Sequence, residues 1–174
     1  MKTKLNQSKL KLAIVSAMLL GTAVITVPAY AATAVGNMVV STEVSLSCSM
    51  TVGQMAFENY DPSSVEDLLG TATIGSTCTA GGAAKITMGQ GASPASGSTT
   101  SAPDRRMVLG GEYLSYAIYS DTGRTTAWGD TAATGKGITG TGSADNTTVY
   151  GKITAGQAVG SGSFADSVVV TLTY

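Results

Sequence analysis

The chain has 174 residues, with ten basic and eleven acidic side chains, 43% hydrophobic residues, only 12% charged ones, 22 glycines, two cysteines and no histidine. Without histidine the commonest general base, any Ser-His triad and the His-containing zinc sites are excluded. The acidic balance argues against nucleic acid, which needs a basic face.

Lys2, Lys4, Lys9 and Lys11 form a basic region, Leu12 to Val27 is an apolar run, and Pro28-Ala29-Tyr30-Ala31 supplies a small-x-small cleavage signal. Residues 1–31 are therefore expected to be a secretory signal peptide cut after Ala31. A membrane anchor is the other reading, but the run contains Gly21 and two threonines and falls short of the roughly 20 residues a span needs. Cleavage takes away four of the ten basic residues and none of the eleven acidic ones. Cys48 and Cys78 lie in the exported part, where an isolated pair is expected to form a disulfide. Closing a loop of about thirty residues contributes roughly 3–4 kcal/mol on the loop-entropy model. A reactive or metal-binding pair is the alternative, and it has no supporting neighbours.

From Met38 the chain alternates. Met38, Val40, Thr42, Val44, Leu46 and Cys48 fall on one face, apolar except at Thr42, with Glu43 on the other face. This predicts a strand of about ten residues. Met50 to Val52 leads to a turn at Gly53-Gln54, and Asp61-Pro62 marks another before the polar connection Ser63 to Asp67. Leu69 to Thr79 and Lys85 to Met88 are predicted strands on either side of Gly81-Gly82. Gln90 to Pro103, rich in Gly, Ser and Thr, is expected to be a long exposed loop.

Arg105 to Leu109 and Tyr113 to Ser120 read as a hairpin turning at Gly110-Gly111, its second arm setting Leu114, Tyr116 and Ile118 against Tyr113, Ser115, Ala117 and Tyr119. Thr147 to Ile153 is a further strand, and the stretch from Ser163 to Tyr174 closes the series with Phe164, Val168, Val170, Leu172 and Tyr174 on one face. A strand this apolar with an open edge invites a partner. No window of the exported part shows a 3.6-residue period. Seven or eight short strands punctuated by turns indicate an all-β sandwich with one core.

Chemistry-bearing clusters are few. Glu58 with Asp61, or Glu66 with Asp67, has the composition of a glycosidase pair, but these acids read better as exposed loop residues. Gly135 to Gly140 spells a dinucleotide fingerprint without the strand, helix and βαβ unit that give it meaning, so it reads as a glycine-rich β-loop. Asn146-Thr147-Thr148 spells a glycosylation sequon. Trp128 with Tyr113, Tyr116 and Tyr119 offers a sugar-binding platform, although such aromatics more often fill a sandwich core. Arg105 and Arg106 are expected to pair with Asp104 or to line a loop.

Cys48, the segment Phe57-Glu58-Asn59-Tyr60-Asp61-Pro62, Cys78, Arg106-Met107, Leu114 to Asp121, Arg124 to Asp130, Val149 to Ile153, Ala155-Gly156-Gln157 and Asp166 to Tyr174 together resemble the spore coat protein U domain. Their order and spacing, more than any single piece, carry the resemblance. That family is similar to the subunits of archaic chaperone-usher pili, and the similarity implies an immunoglobulin-like β-sandwich lacking its final strand and completed by donor-strand exchange. On this reading residues 32–47 are the donor-strand extension, 48–174 the pilin-like domain, and Cys48 and Cys78 its disulfide. The resemblance maps the donor face to Met38, Val40, Val44 and Leu46, and the border of the acceptor groove to Val168, Val170 and Leu172. It implies export through the periplasm to the cell surface or beyond it. The expected partners are a periplasmic chaperone, an outer-membrane usher and identical or homologous subunits. No catalytic residue, metal or cofactor is expected. A carbohydrate- or surface-binding adhesin domain built on Trp128 and the Tyr113 to Tyr119 arm is the second reading.

Overall fold

Period-two alternation becomes eight strands in the computed structural model, which describes residues 30–174. The expected signal peptide lies outside the described residues except for Tyr30 and Ala31. Thr42–Tyr174 form one compact unit, and residues 30–41 fall outside it. Within residues 30–41 there is no strand and every side chain is exposed.

The strands are β1 (Cys48–Val52), β2 (Leu68–Cys78), β3 (Ala83–Met88), β4 (Arg105–Leu109), β5 (Glu112–Tyr119), β6 (Lys136–Thr139), β7 (Ala144–Ile153) and β8 (Val170–Thr173). They make an antiparallel five-stranded sheet in the order β1-β2-β7-β5-β4 and a three-stranded sheet in the order β6-β3-β8. No helix occurs among the described residues. Ile74 of β2, Ile86 and Met88 of β3, Ile118 of β5, Val149 of β7 and Trp128 pack together as the core between the sheets. Hydrophobic burial on two facing sheets is the main stabilising term of such a fold.

Local chemistry explains the elements. The β4–β5 hairpin turns through Gly110 and Gly111, both in the left-handed region at φ +58° and +96°, which glycine adopts without a Cβ penalty. In β5 the alternation buries Leu114 and Ile118, as expected. β2 and β7 pair over their whole lengths, from Leu68↔Ile153 to Thr77↔Ala144. The glycine-rich segment spelled like a fingerprint is edge strand β6, with Ile138 opposite Ala84 and no helix after it.

Three expectations need correction. The ten-residue strand expected from Met38 is absent up to Cys48, where β1 begins, because residues 38–47 have no ladder partner among the described residues. The closing strand is shorter than its alternation. Ala165 bridges Val108 of β4, the Gly89 N–H donates to the Val169 carbonyl, and only Val170–Thr173 ladders with β3, because the segment crosses from one sheet to the other. The Gln90 to Pro103 loop is strapped rather than free. The Arg106 guanidinium donates to the carbonyls of Ser93 and Pro94 and stacks 3.9 Å over the Tyr113 ring, and Asp130 N–H donates to Thr100.

Arg105 departs furthest from its reading. Its exposure is 1%, and neither Asp104 nor any other carboxylate bonds to it. Instead its Nε donates to the Gly89 carbonyl at 2.7 Å and its Nη2 to those of Met88 and Trp128, both at 2.8 Å. A fork of fixed donors suits three converging carbonyls better than an ammonium would. Burial lowers its pKa from the ordinary value, against the opposing pull of Tyr116, Asp166 and Asp130.

Candidate functional site: an open slot between the sheets

Two edges that share no ladder define the site. β1 pairs only with β2, and after Gly53, whose N–H donates to Thr73, no hydrogen bond joins the main chain of Gln54–Asn59 to the rest of the described residues. Across the gap, β8 has a single ladder partner, β3. Between these edges lies a slot of about 350 Å³ floored by core residues Ile74, Met88, Ile118 and Val149. Met55 and Phe57 stand on one wall; Phe164, Val168 and Val170 stand on the other. Two unpaired main-chain edges over an apolar floor are what strand addition requires.

The first wall is set by glycines on paired strands. Gly70 of β2 lies opposite Gly151 of β7, and a Cβ at either would collide with the Phe57 ring, at 2.8 Å from Cδ1 for Gly70 and 2.7 Å from Cζ for Gly151. Missing side chains thus make a trench in the sheet into which Phe57 settles. Phe57, Met107 and Phe164 also line an adjoining depression of about 510 Å³ bordered by Tyr60, Leu114 and Ile153.

The second wall is held by a polar pair. Tyr116 Oη donates to Asp166 Oδ2 at 2.6 Å, while Asp166 Oδ1 accepts the N–H groups of Ala92 and Ser167, each at 2.8 Å. Gly91 makes room for this carboxylate, since a Cβ there would overlap Asp166. Burial, and then the bond to Asp166, pushes the Tyr116 phenol above its ordinary value, so it stays a donor.

Of the residues expected to border the groove, Val168 and Val170 line the slot, while Leu172 packs on the same core beyond its lining. Of the expected donor residues, Met38, Val40 and Val44 are 87%, 85% and 77% exposed. Leu46, at 37%, is different, because its Cδ1 lies where a Cβ on Gly82 would sit. Its neighbours are pinned as well. Ser47 N–H donates to Thr79 Oγ1 at 3.1 Å, and that hydroxyl approaches the Ser45 carbonyl at 3.4 Å. The Cys48–Cys78 disulfide is formed and fastens β1 to β2 directly below this point.

The other candidates do not gather into a site. Trp128 is fully buried, its Nε1 donating to the Ile86 carbonyl at 2.9 Å, so it belongs to the core and not to a surface platform. Tyr113 is half exposed on the hairpin under Arg106. Asp61 caps a turn through Ser63, which lowers its pKa, and Asp67 accepts the Ala155 N–H and pairs with Lys152 at 3.1 Å. Glu58 and Glu66 are exposed. Phe57, Tyr116 and Asp166 have roles that composition does not single out. The one local signal was the glycine at matching positions of two strands, Gly70 and Gly151, which marks a close approach.

Comparison with known proteins agrees with this fold. One chain of the crystal structure of the CsuC-CsuE chaperone-tip adhesion subunit pre-assembly complex, from archaic chaperone-usher Csu pili of Acinetobacter baumannii, superposes with a TM-score of 0.57 at 17% identity. The match covers 75% of this chain and 40% of that one, so the present chain spans well under half the length of its structural neighbour. The likeness supports an immunoglobulin-like sandwich. Protein U of Myxococcus xanthus is 41% identical over 158 residues, covering 84% of this chain and 88% of that protein. Residues 34–171 match the model of the Spore Coat Protein U domain, and the chain belongs to that family.

Proposed function

We propose that this chain is an exported structural subunit that polymerises by donor-strand complementation into a surface pilus or coat. The observation that carries the reading is the slot bounded by Gln54–Asn59 and the Phe164–Val170 segment, two edges with free main-chain groups above an apolar floor. The same chain carries a segment of matching chemistry, Met38, Val40 and Val44, that is exposed and has no ladder partner. Moving each of these side chains from water into an apolar slot contributes about 1.5–3 kcal/mol, in addition to main-chain hydrogen bonds on both sides. Nothing in this reaction needs a catalytic group, metal or cofactor.

The partners follow from the same edges. Until a second copy fills the slot, a periplasmic chaperone lending a strand would protect it, and an outer-membrane usher would exchange one strand for the other. The structural likeness to a chain of a chaperone–subunit complex supports this route. Leu46 is held by its own domain, so the inserted part of residues 32–47 ends at or before Val44.

The test is expression of the full chain for export, with and without its cognate chaperone, followed by electrophoresis in SDS without boiling. Ladders of multimers are expected. Val40→Asp with Val44→Asp should abolish them while the chaperone-bound subunit remains folded, because a carboxylate cannot enter the slot unpaired. A wild-type chain that stays monomeric and cooperatively folded without any partner would refute the reading.

A further inference from the structure

The slot has one polar position on its second wall, and the exposed segment has one polar position on its inward face. Along the wall, the partly buried side chains are Phe164, Asp166, Val168 and Val170, alternating with the exposed Ala165, Ser167 and Val169, of which Ala165 and Ser167 also border the slot. Taken backwards, the segment presents Val44, Thr42, Val40 and Met38. Both series run apolar, polar, apolar, apolar. We propose that Thr42 of an inserted copy lies opposite Asp166 and donates its hydroxyl to the Asp166–Tyr116 pair, fixing an antiparallel register with Val44, Val40 and Met38 opposite Phe164, Val168 and Val170. This deepens the strand-exchange reading and rests on it.

Alternatives lose on stated grounds. A one-residue slip turns every inward side chain outward and brings Glu43 into the slot. A two-residue slip sets Thr42 against Phe164 or Val168, and an apolar side chain against the carboxylate. A buried hydroxyl without a partner then costs about 1–3 kcal/mol. Running the strand parallel with Thr42 still at Asp166 would require Leu46 opposite Val170, yet Leu46 already packs on the Gly81-Gly82 turn. Asp166 is ready as an acceptor. Its Oδ1 is fixed by two N–H groups, and its Oδ2, with Tyr116 on one lone pair, keeps the other. Thr42 thus acts as a register pin, a role seen for single buried polar residues in other assemblies.

The test uses full chains co-expressed as two variants, so that any new disulfide must join different copies. Directly opposed positions on neighbouring strands have Cβ atoms about 4.5–5.5 Å apart, whereas a two-residue offset places them about 7–8 Å apart, beyond disulfide reach. Val40→Cys should cross-link to Val168→Cys and not to Val170→Cys or Asp166→Cys. Thr42→Val, which keeps shape and removes the hydroxyl, should shorten the lifetime of multimers in SDS about tenfold, as expected for a hydrogen bond to a charged group. Thr42→Ser should restore most of it, and the penalty of Thr42→Val should vanish when the acceptor carries Asp166→Ala. Cross-linking at the offset pairs, or an unchanged lifetime for Thr42→Val, overturns the register and leaves strand exchange standing. Chains that do not associate at all overturn both.

Discussion

Gly70→Ala is the sharpest probe of how the slot's first wall is held. The backbone at Gly70 is outside the left-handed region, so alanine is conformationally allowed there and in a strand would by itself be neutral or stabilising by up to about 1 kcal/mol. What opposes it is a single side chain. The new Cβ would stand 2.8 and 2.9 Å from Cδ1 and Cε1 of Phe57, and the third nearest atom, Cγ at 3.5 Å, belongs to the same ring. Displacing the ring should cost about 1–3 kcal/mol, the usual range for overpacking. Phe57→Ala alone removes a half-buried ring and should cost a similar amount. Combined, the two should not add, because removing Phe57 removes the three closest contacts of the new Cβ. A coupling of about 1–3 kcal/mol is expected. Trp128, fully buried and the only tryptophan, reports unfolding by fluorescence in urea for the wild type, both single variants and the double variant. Equal cost for Gly70→Ala with and without Phe57 would refute the trench argument, and with it the reason given for the position of that wall.

Two further outcomes follow from charge. Arg105→Met should lower stability by about 3–5 kcal/mol, because three carbonyls lose their donor, and Arg105→Lys should fall between it and the wild type; a methionine variant as stable as the parent would mean that burying the guanidinium outweighs its bonds. The carboxylates Asp121, held down chiefly by the Thr126 N–H, Asp67, by the Ala155 N–H, and Asp61, by the Ser63 hydroxyl, all titrate below their ordinary 3.8. Their stabilisation is therefore fully present above that value and is lost as pH falls through the lowered ones. Stability should decline as pH falls below about 3.8, and Asp121→Asn should flatten that slope in urea titrations; an unchanged slope would show that the turn contributes nothing.

Local signals wrote most of the strands. β2 was expected at Leu69 to Thr79 and found at Leu68–Cys78, and the hairpin at Gly110-Gly111 fell where two glycines permit left-handed backbone. The disulfide was legible from cysteine arithmetic alone. What escaped depends on contacts far apart in the chain. Arg105 looked like a loop residue because the carbonyls it binds lie 16, 17 and 23 residues away. Tyr116 and Asp166 are 50 apart, and neither has a neighbour that announces the other. The alternation from Met38 to Leu46 was legible as a pattern, but period two describes which faces differ and says nothing about whether a partner is present.

A sandwich with an open slot faces a physical difficulty, because the apolar floor that favours an incoming strand also favours collapse of one wall onto the other. Here the walls are fastened by restraints that do not depend on apolar contact across the slot. Cys48–Cys78 locks β1 to β2 covalently. Phe57 is socketed between Gly70 and Gly151. Arg105 ties β4 to the end of β3 and to Trp128, and Asp166 ties the crossing segment to Ala92 and Tyr116. These are directional or covalent restraints, and unlike apolar contacts they specify a position as well as an energy. The wall side chains Met55, Phe57, Phe164, Val168 and Val170 thus stay only partly buried in the free subunit, and an inserted strand can complete their burial.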